Sequence, residues 1–334
     1  MPWTWDFMTM MFRGLGGIAD NIVQDDGPFG RGIFAVDPTR AVRLHVPRNL
    51  LIPVSEIEFA GGVMKIKPDA DIGEPERVFI ENYYEAFSWG GEGRLAALKH
   101  IEALDNLPAD MRALLSKRFS LSSLFEQGSA SERAERWFLA NRMINLNGKD
   151  FLMPVMELLN HSPNGATYSQ TDGLAIEGQF SGEVLAQYND AIDPLGMFHS
   201  YGFASSGGIC FSLPIKDDRR GIVIERSLNR SSKIGSVSVP NYELESGTVK
   251  FSCVMTGNAK FPRLSKGIFC HVMKEAGKAK PDEIFDALLH DNRIKFLELL
   301  EKLELHEGGL VPTLRKMVRC QLEAMSHCVG TREV

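Results

Sequence analysis

Pro154-Val155-Met156-Glu157-Leu158-Leu159-Asn160-His161-Ser162 is an apolar run interrupted by one acid and closed by an Asn-His pair. Further along comes Ser181-Gly182-Glu183-Val184-Leu185-Ala186-Gln187-Tyr188-Asn189, a Gly-Glu turn entering a short strand that ends in tyrosine. His199-Ser200-Tyr201-Gly202-Phe203 follows shortly after. Taken singly, each stretch has an ordinary explanation. Asn favours turns at the end of an element, and His and Tyr are common core residues when their polar atoms are satisfied. The information lies in the order and spacing of the three. The apolar run reads as a strand, which places Asn160 and His161 where that strand ends.

Working back toward the N-terminus, Gly27-Pro28-Phe29-Gly30-Arg31-Gly32 is followed by the β-type run Ile33-Phe34-Ala35-Val36. Phosphate-binding glycine loops open into a helix whose N-terminus faces the anion, and no helix begins here. Arg13-Gly14-Leu15-Gly16-Gly17 lacks both a preceding strand and a complete Gly-x-Gly-x-x-Gly. Leu44-His45-Val46-Pro47-Arg48-Asn49-Leu50-Leu51-Ile52 reads as short β-runs broken by Pro47 and Pro53, which suits small edge strands.

Between Pro75 and Asn145 the period changes to that of helices. Val78, Phe79, Tyr83 and Phe87 share one face, and Leu95, Leu98, Ile101 and Leu104 repeat the pattern. Ser129 and Glu132 form a capping box ahead of a helix over Ala134–Ile144. The aromatics Tyr83, Tyr84, Trp89 and Trp137 read as core. After the central stretches, residues 221–225, 233–239 and 248–254 alternate like strands, and the chain turns helical from about Ser265. Three amphipathic segments follow: Phe285, Leu288 and Leu289; Ile294, Leu297 and Leu300; and Leu314 to Met325.

The chain of 334 residues, 44% hydrophobic and 24% charged, has the composition of a globular protein with ample core. Its net charge of −6 gives no general basic field for nucleic acid. The five cysteines, Cys210, Cys253, Cys270, Cys320 and Cys328, form no Cys-x-x-Cys pair, which argues against a zinc cluster or a disulfide framework. Met1-Pro2-Trp3-Thr4-Trp5-Asp6-Phe7 makes a poor signal peptide and no run is long enough to span a bilayer, so a cytoplasmic location is expected.

The ordered set of Gly30-Arg31-Gly32, Asn160-His161, Gly182-Glu183, Tyr188 and Tyr201-Gly202-Phe203 resembles a SET-domain protein methyltransferase. Within that family it is most similar to the lysine methyltransferases with an inserted helical segment, of the Rubisco large-subunit methyltransferase type. The resemblance implies an α+β fold of small β-sheets with a helical insert and a mainly helical C-terminal lobe. Residues 1–75 and 146–215 would be the two parts of the SET core, 76–145 the insert, and 216–334 a β-then-helical lobe that docks a protein substrate.

The resemblance also implies S-adenosylmethionine as cofactor, with S-adenosylhomocysteine as product. Gly30, Arg31, Gly32, Ile33, Phe34, Arg142, Asn160 and His161 would bind it. Tyr201 would be the catalytic residue, and Tyr188, Phe203 and Glu157 would line the substrate channel. Glu157 stands where the family more usually has Asp, and could pair with Arg142. The partner would be a protein presenting lysine, with histidine on the same fold and a non-catalytic scaffold as the alternatives. No metal, nucleic acid or membrane is called for.

The chemistry suits these residue types. Methyl transfer to an amine needs a neutral nucleophile, although free lysine has a pKa of about 10.4. Burial in an apolar channel beside a positive sulfonium lowers that value. What remains is orientation, which rigid phenol rings provide without ionising. One segment departs from the family: Asn189-Asp190-Ala191-Ile192-Asp193-Pro194-Leu195-Gly196 replaces the usual Gly and Ser-Asn pair.

Overall fold

The computed structural model describes residues 3–188, 192–226, 232–234, 237–239 and 241–328. The chain divides into two compact units, residues 1–102 with 127–188 and residues 103–126 with 189–334. Both are discontinuous in sequence, and the helical insert is shared between them.

Helix α1 (Trp5–Gly14) is capped by the Thr4 hydroxyl, which accepts the Phe7 amide. Strands β1 (Ile18–Asp20), β2 (Ile22–Gly27), β3 (Gly30–Ala35) and β4 (Val42–Pro47) follow. β2 and β3 form a hairpin in which Gly27 faces Gly30, and Gly30 takes the left-handed conformation (φ +89°) that closes it. Gly30-Arg31-Gly32 is thus part of the strand, and Pro28-Phe29 makes the turn. β5 (Ile52–Pro53) precedes a second hairpin of β6 (Ile57–Ala60) and β7 (Val63–Ile66).

The expected change of period then appears as α2 (Glu74–Phe87), α3 (Arg94–Asp105), α4 (Ala109–Arg118) and α5 (Ala130–Arg142). Pro75 occupies the first turn of α2, where its missing N–H leaves no bond unmade. Phe79, Tyr83 and Phe87 are buried as the spacing required, whereas Val78 is exposed. The capping box at Ser129 and Glu132 is present, but it starts the helix at Ala130. The helix ends at Arg142, because Met143 turns extended and opens β8 (Met143–Leu146), so the expectation of helix to Ile144 is corrected.

β9 (Lys149–Leu152) lies between β8 and β5 in a three-stranded sheet. β10 (Asn160–Ala166), β11 (Gly173–Gly178) and β12 (Leu185–Ala186) complete the first unit. β11 and β1 flank β4 in an antiparallel sheet, while β10 pairs in parallel with β12. The reading of Pro154–Leu159 as a strand that ends at Asn160 is overturned. Val155 adopts φ +68°, a costly conformation for a β-branched residue, and Met156–Leu158 forms a single 3-10 turn. Asn160 therefore begins a strand.

In the second unit α6 (Pro194–Tyr201) precedes β13 (Ile209–Phe211), β14 (Ile215–Asp217), β15 (Ile222–Ile224), β16 (Ser232–Ile234) and β17 (Val237–Val239). β18 (Tyr242–Glu245), β19 (Thr248–Phe251) and β20 (Met255–Asn258) then lead into α7 (Leu264–Glu275), α8 (Pro281–Glu304) and α9 (Val311–Ser326). The first two amphipathic segments expected here are one helix, α8. Phe285, Leu289, Phe296 and Leu303 are buried along it, whereas Ile294 and Leu297 lie on its exposed flank. α4 belongs to this unit: Phe119, just after it, meets Phe296 edge-on at 5.2 Å, and Arg118 pairs with Glu298 at 2.9 Å. Among the described residues no helix is long and apolar enough to cross a membrane.

His100 on α3 stacks on Trp137 of α5 at 4.3 Å between ring centroids. Its Nε2 is buried without a partner, and burial pulls the imidazole down from 6.5 to about 4. A histidine held neutral in this way contributes stability above its unfolded pKa, which is lost as pH falls toward the folded value. Urea unfolding of the parent against His100→Leu should show the parent losing up to about 3 kcal/mol relative to the variant between pH 7 and pH 4. Parallel pH profiles would refute this.

Candidate functional site

In the first unit, β3 supplies the floor. Ile33 is fully buried, and the Phe34 ring covers Gly27 across the hairpin so closely that a Cβ on Gly27 would lie 2.6 Å from it. Strand β3 is paired antiparallel with Gly182-Glu183-Val184: Ala35 N–H donates to Gly182 O at 2.9 Å and Val184 N–H to Ile33 O at 2.8 Å. The Glu183 carboxylate is thereby laid over Gly32. A Cβ on Gly32 would meet Glu183 Oε1 at 2.5 Å and Asn160 Nδ2 at 2.8 Å, so any larger residue would push the carboxylate and the amide out of this arrangement.

The same carboxylate fixes Asn160. Its amide nitrogen donates to Glu183 Oε1 at 2.7 Å and to the Arg31 carbonyl at 3.2 Å. Both amide hydrogens are thus used, and the carbonyl oxygen is left as a partly exposed acceptor. In the sequence Glu183 reads only as part of a Gly-Glu turn. The signal that marks it is an acid placed directly after glycine and before the short strand that pairs with Asn160.

β10 and β12 pair Asn160 with Leu185 and His161 with Ala186. His161 Nδ1 accepts the Tyr188 amide at 3.4 Å, and the two rings lie 5.2 Å apart. Burial lowers the His161 pKa, opposed by a hydrogen bond to the Ala186 backbone, so the ring is neutral at pH 7. Tyr188 Oη donates to the Leu159 carbonyl at 2.5 Å, immediately before Asn160. Arg31, whose carbonyl holds Asn160, directs its guanidinium toward Glu92 at 3.4 Å.

Glu157 and Arg142 form a second cluster in this unit. Arg142 Nε lies 3.9 Å from the fully buried Glu157 carboxylate, and its guanidinium covers the Phe138 ring at 4.4 Å. Tyr83 Oη donates to Glu157 Oε1 at 3.0 Å. Burial raises the Glu157 pKa, while Arg142 and the hydroxyls of Ser88, Tyr83 and Tyr84 oppose that rise. Tyr83 and Tyr84, read as core aromatics, are buried and also face this carboxylate. Glu157 lies within the turn that precedes Asn160, so the cluster braces that turn.

Tyr201 and Phe203 belong to the second unit. Asp193 caps α6, accepting the Gly196 amide at 2.9 Å, and Pro194 fills the first helical position. Gly202 ends the helix in the left-handed conformation (φ +75°), donating its N–H to Phe198 O. The Tyr-Gly pair is therefore a helix stop that leaves Tyr201 as the final helical residue. Its ring packs 5.9 Å from Phe203, and burial raises its pKa, so the phenol stays protonated. His199 lies in the turn before, with Nε2 2.6 Å from Ser123 Oγ. Of the segment that departs from the family pattern, Asn189-Asp190-Ala191 lies outside the described residues.

No family model matches the chain, and no curated protein matches its sequence. Solved structures that it is similar to include the SET domain of LSMT bound to lysine and AdoHcy, at 13% identity and a TM-score of 0.43, over 97% of this chain and 90% of that one. Rubisco LSMT bound to AdoMet is another, at 10% identity and 0.45, over 96% and 89%. Rubisco LSMT bound to sinefungin and monomethyllysine gives 13% and 0.45, over the same shares of the two chains.

Proposed function

We propose that this chain is an S-adenosylmethionine-dependent protein N-methyltransferase that acts on lysine in a non-histone protein. The observation that carries the reading is the Gly32–Asn160–Glu183 corner. There the Asn160 amide is clamped between a carboxylate and a strand carbonyl, and its oxygen is left to accept from an ammonium group. The open face at Gly30, where a Cβ would meet nothing within 4 Å, leaves backbone within reach of a ligand. These features fit the amino-acid end of the cofactor. The neutral His161 ring and its neighbour Tyr188 offer a polar and aromatic wall for the remainder.

When bound, the cofactor supplies a methyl group on a sulfonium. The chain's residues bind and orient. Asn160 takes the ammonium, β3 backbone and Arg31 border the ligand, and Tyr188 and Phe203 shape the channel for the acceptor amine. The Glu157 carboxylate, expected from sequence to line that channel, is fully buried and instead supports the turn before Asn160. Tyr201, protonated throughout the working pH range, orients the amine and the methyl group through its oxygen. Arg142 holds the guanidinium end of the Glu157 cluster beside the turn that presents Asn160.

Calorimetry with S-adenosylmethionine and with S-adenosylhomocysteine tests the reading, followed by mass spectrometry of proteins methylated in a lysate. Heat on binding together with a label on lysine supports it. Absence of heat with either compound refutes it, and a label on histidine moves the acceptor. Glu183→Ala should weaken S-adenosylmethionine binding roughly tenfold or more, because Asn160 loses a charge-assisted hydrogen bond, while Glu183→Gln keeps an acceptor and loses less. Equal dissociation constants for the parent and Glu183→Ala would remove Glu183 from the site.

A further inference from the structure

The second unit carries a groove of about 940 Å³ along α7, bounded by Tyr242, Phe261, Pro262, Leu264, Ile268 and Val272. That volume is within the range of sites that take drug-sized ligands or short peptide segments. α7 has a buried apolar stripe and a second face turned to the groove. Phe269, Cys270, Val272 and Met273 are buried in the unit. Leu264, Gly267, Ile268 and His271 fall at i, i+3, i+4 and i+7 on the groove side, with Leu264 and Ile268 supplying its apolar surface. Tyr242 and Phe261 are each 42% exposed at its edge.

Two further features select an occupant. A Cβ on Gly267 would meet nothing within 4 Å, and Gly267 lies within a regular helix, so the fold of this unit has no use for glycine there. Glycine within a helix weakens it relative to alanine. What glycine does provide, on the floor of a groove, is close approach of a second helix, since the separation of packed helices is set by the side chains at the crossing. The second feature is charge. Lys260 and Arg263 line the groove and make no ion pair among the described residues, whereas Glu275 is engaged by Tyr242 Oη at 2.9 Å and by His271 at 3.4 Å. The lining thus holds two cations, Lys260 and Arg263, against the single carboxylate of Glu275, a net positive charge on a chain whose total is −6.

We propose that the groove receives an acidic amphipathic helix of a partner protein, laid along α7 with its closest approach at Gly267. The twelve residues of α7 would face about three turns of such a helix. Leucine-type side chains fill the space between Leu264 and Ile268 and beside Phe261, and flanking carboxylates meet Lys260 and Arg263. The inference does not depend on the methyltransferase reading, and its test involves no cofactor.

The probe is a fluorescein-labelled peptide of about three to four turns, with leucines at i, i+3, i+4 and i+7 and glutamates on both flanks. Its anisotropy should report a micromolar dissociation constant that weakens as salt is raised. The same peptide with lysines for glutamates should bind at least roughly tenfold more weakly, as should the acidic peptide to Lys260→Glu/Arg263→Glu. Gly267→Ala separates binding from folding. It should raise Tm by roughly 1–3 °C yet weaken the peptide severalfold, and Gly267→Leu should abolish binding.

Equal affinity for the acidic and basic peptides, or undiminished binding by Gly267→Leu, overturns the proposal. So does one-to-one binding of dodecanoate without peptide binding, which would make the groove a lipid site. Concentration-dependent dimerisation removed by Gly267→Leu would overturn it in favour of a second copy of this chain.

Discussion

Tyr201→Phe is expected to bind S-adenosylmethionine with a dissociation constant within about twofold of the parent and to lose methyl transfer by about 10²–10³-fold, the usual effect of deleting one preorganised polar contact at a reacting centre. The substitution deletes an oxygen and keeps the ring. The packing against Phe203 at 5.9 Å and the helix stop at Gly202 persist, so the fold is conserved and the effect belongs to the hydroxyl. Because burial raises the Tyr201 pKa, the phenol does not titrate near neutrality, and the parent's pH–rate profile should carry no limb from its ionisation. Single-turnover assays with tritiated cofactor, paired with calorimetry, measure both quantities. Undiminished turnover with intact binding removes Tyr201 from catalysis and leaves the rest of the site standing. Loss of binding in the variant places Tyr201 in the cofactor site instead.

The largest effect on stability is expected at Asp193. This fully buried carboxylate accepts the Gly196 amide, both contacts from Arg226 Nη2 at 2.7 and 3.0 Å, the Phe211 amide at 3.2 Å and Gln321 Nε2 at 2.9 Å. Burial alone would raise its pKa, but the Arg226 guanidinium, Gln321 and the Gly196 amide overcome that and hold it below the usual carboxylate range. Asp193→Ala leaves a guanidinium that is only 7% exposed without its counter-charge and uncaps α6. The loss should be about 3–5 kcal/mol, roughly a fifth or more of the margin of a typical domain. Urea unfolding measures it. The pair replaced together, as Asp193→Ala/Arg226→Met, should recover part of the loss and no more, since the Gly196 and Phe211 amides still lack an acceptor. A single-variant loss under 1 kcal/mol would refute the assignment.

What could be read in advance depended on range along the chain. The burial of Phe79, Tyr83 and Phe87 and the capping box at Ser129 and Glu132 are local, and spacing alone reveals them. The two families of elements, small sheets and helices, were legible for the same reason. The backbone reversal at Val155 was not, because nothing in an apolar run announces a left-handed residue, and a strand was therefore assigned where a one-turn helix stands. Asn160 and Glu183 meet across 23 residues, and Asp193 and Gln321 across 128. Contacts of that range belong to the tertiary fold. Asp193 stood in the very segment that departs from the family pattern, where sequence comparison offers no role for it.

Because α4 is made early and its partners late, the order of synthesis matters. Phe119 and Arg118 wait for Phe296 and Glu298, the latter 180 residues downstream of Arg118. At roughly 5–20 residues per second, a ribosome takes about 10 to 40 s to cover that distance. Through that interval Phe119, fully buried in the finished unit, lacks the Phe296 ring it packs against, so the nascent chain carries an apolar side chain open to a chaperone.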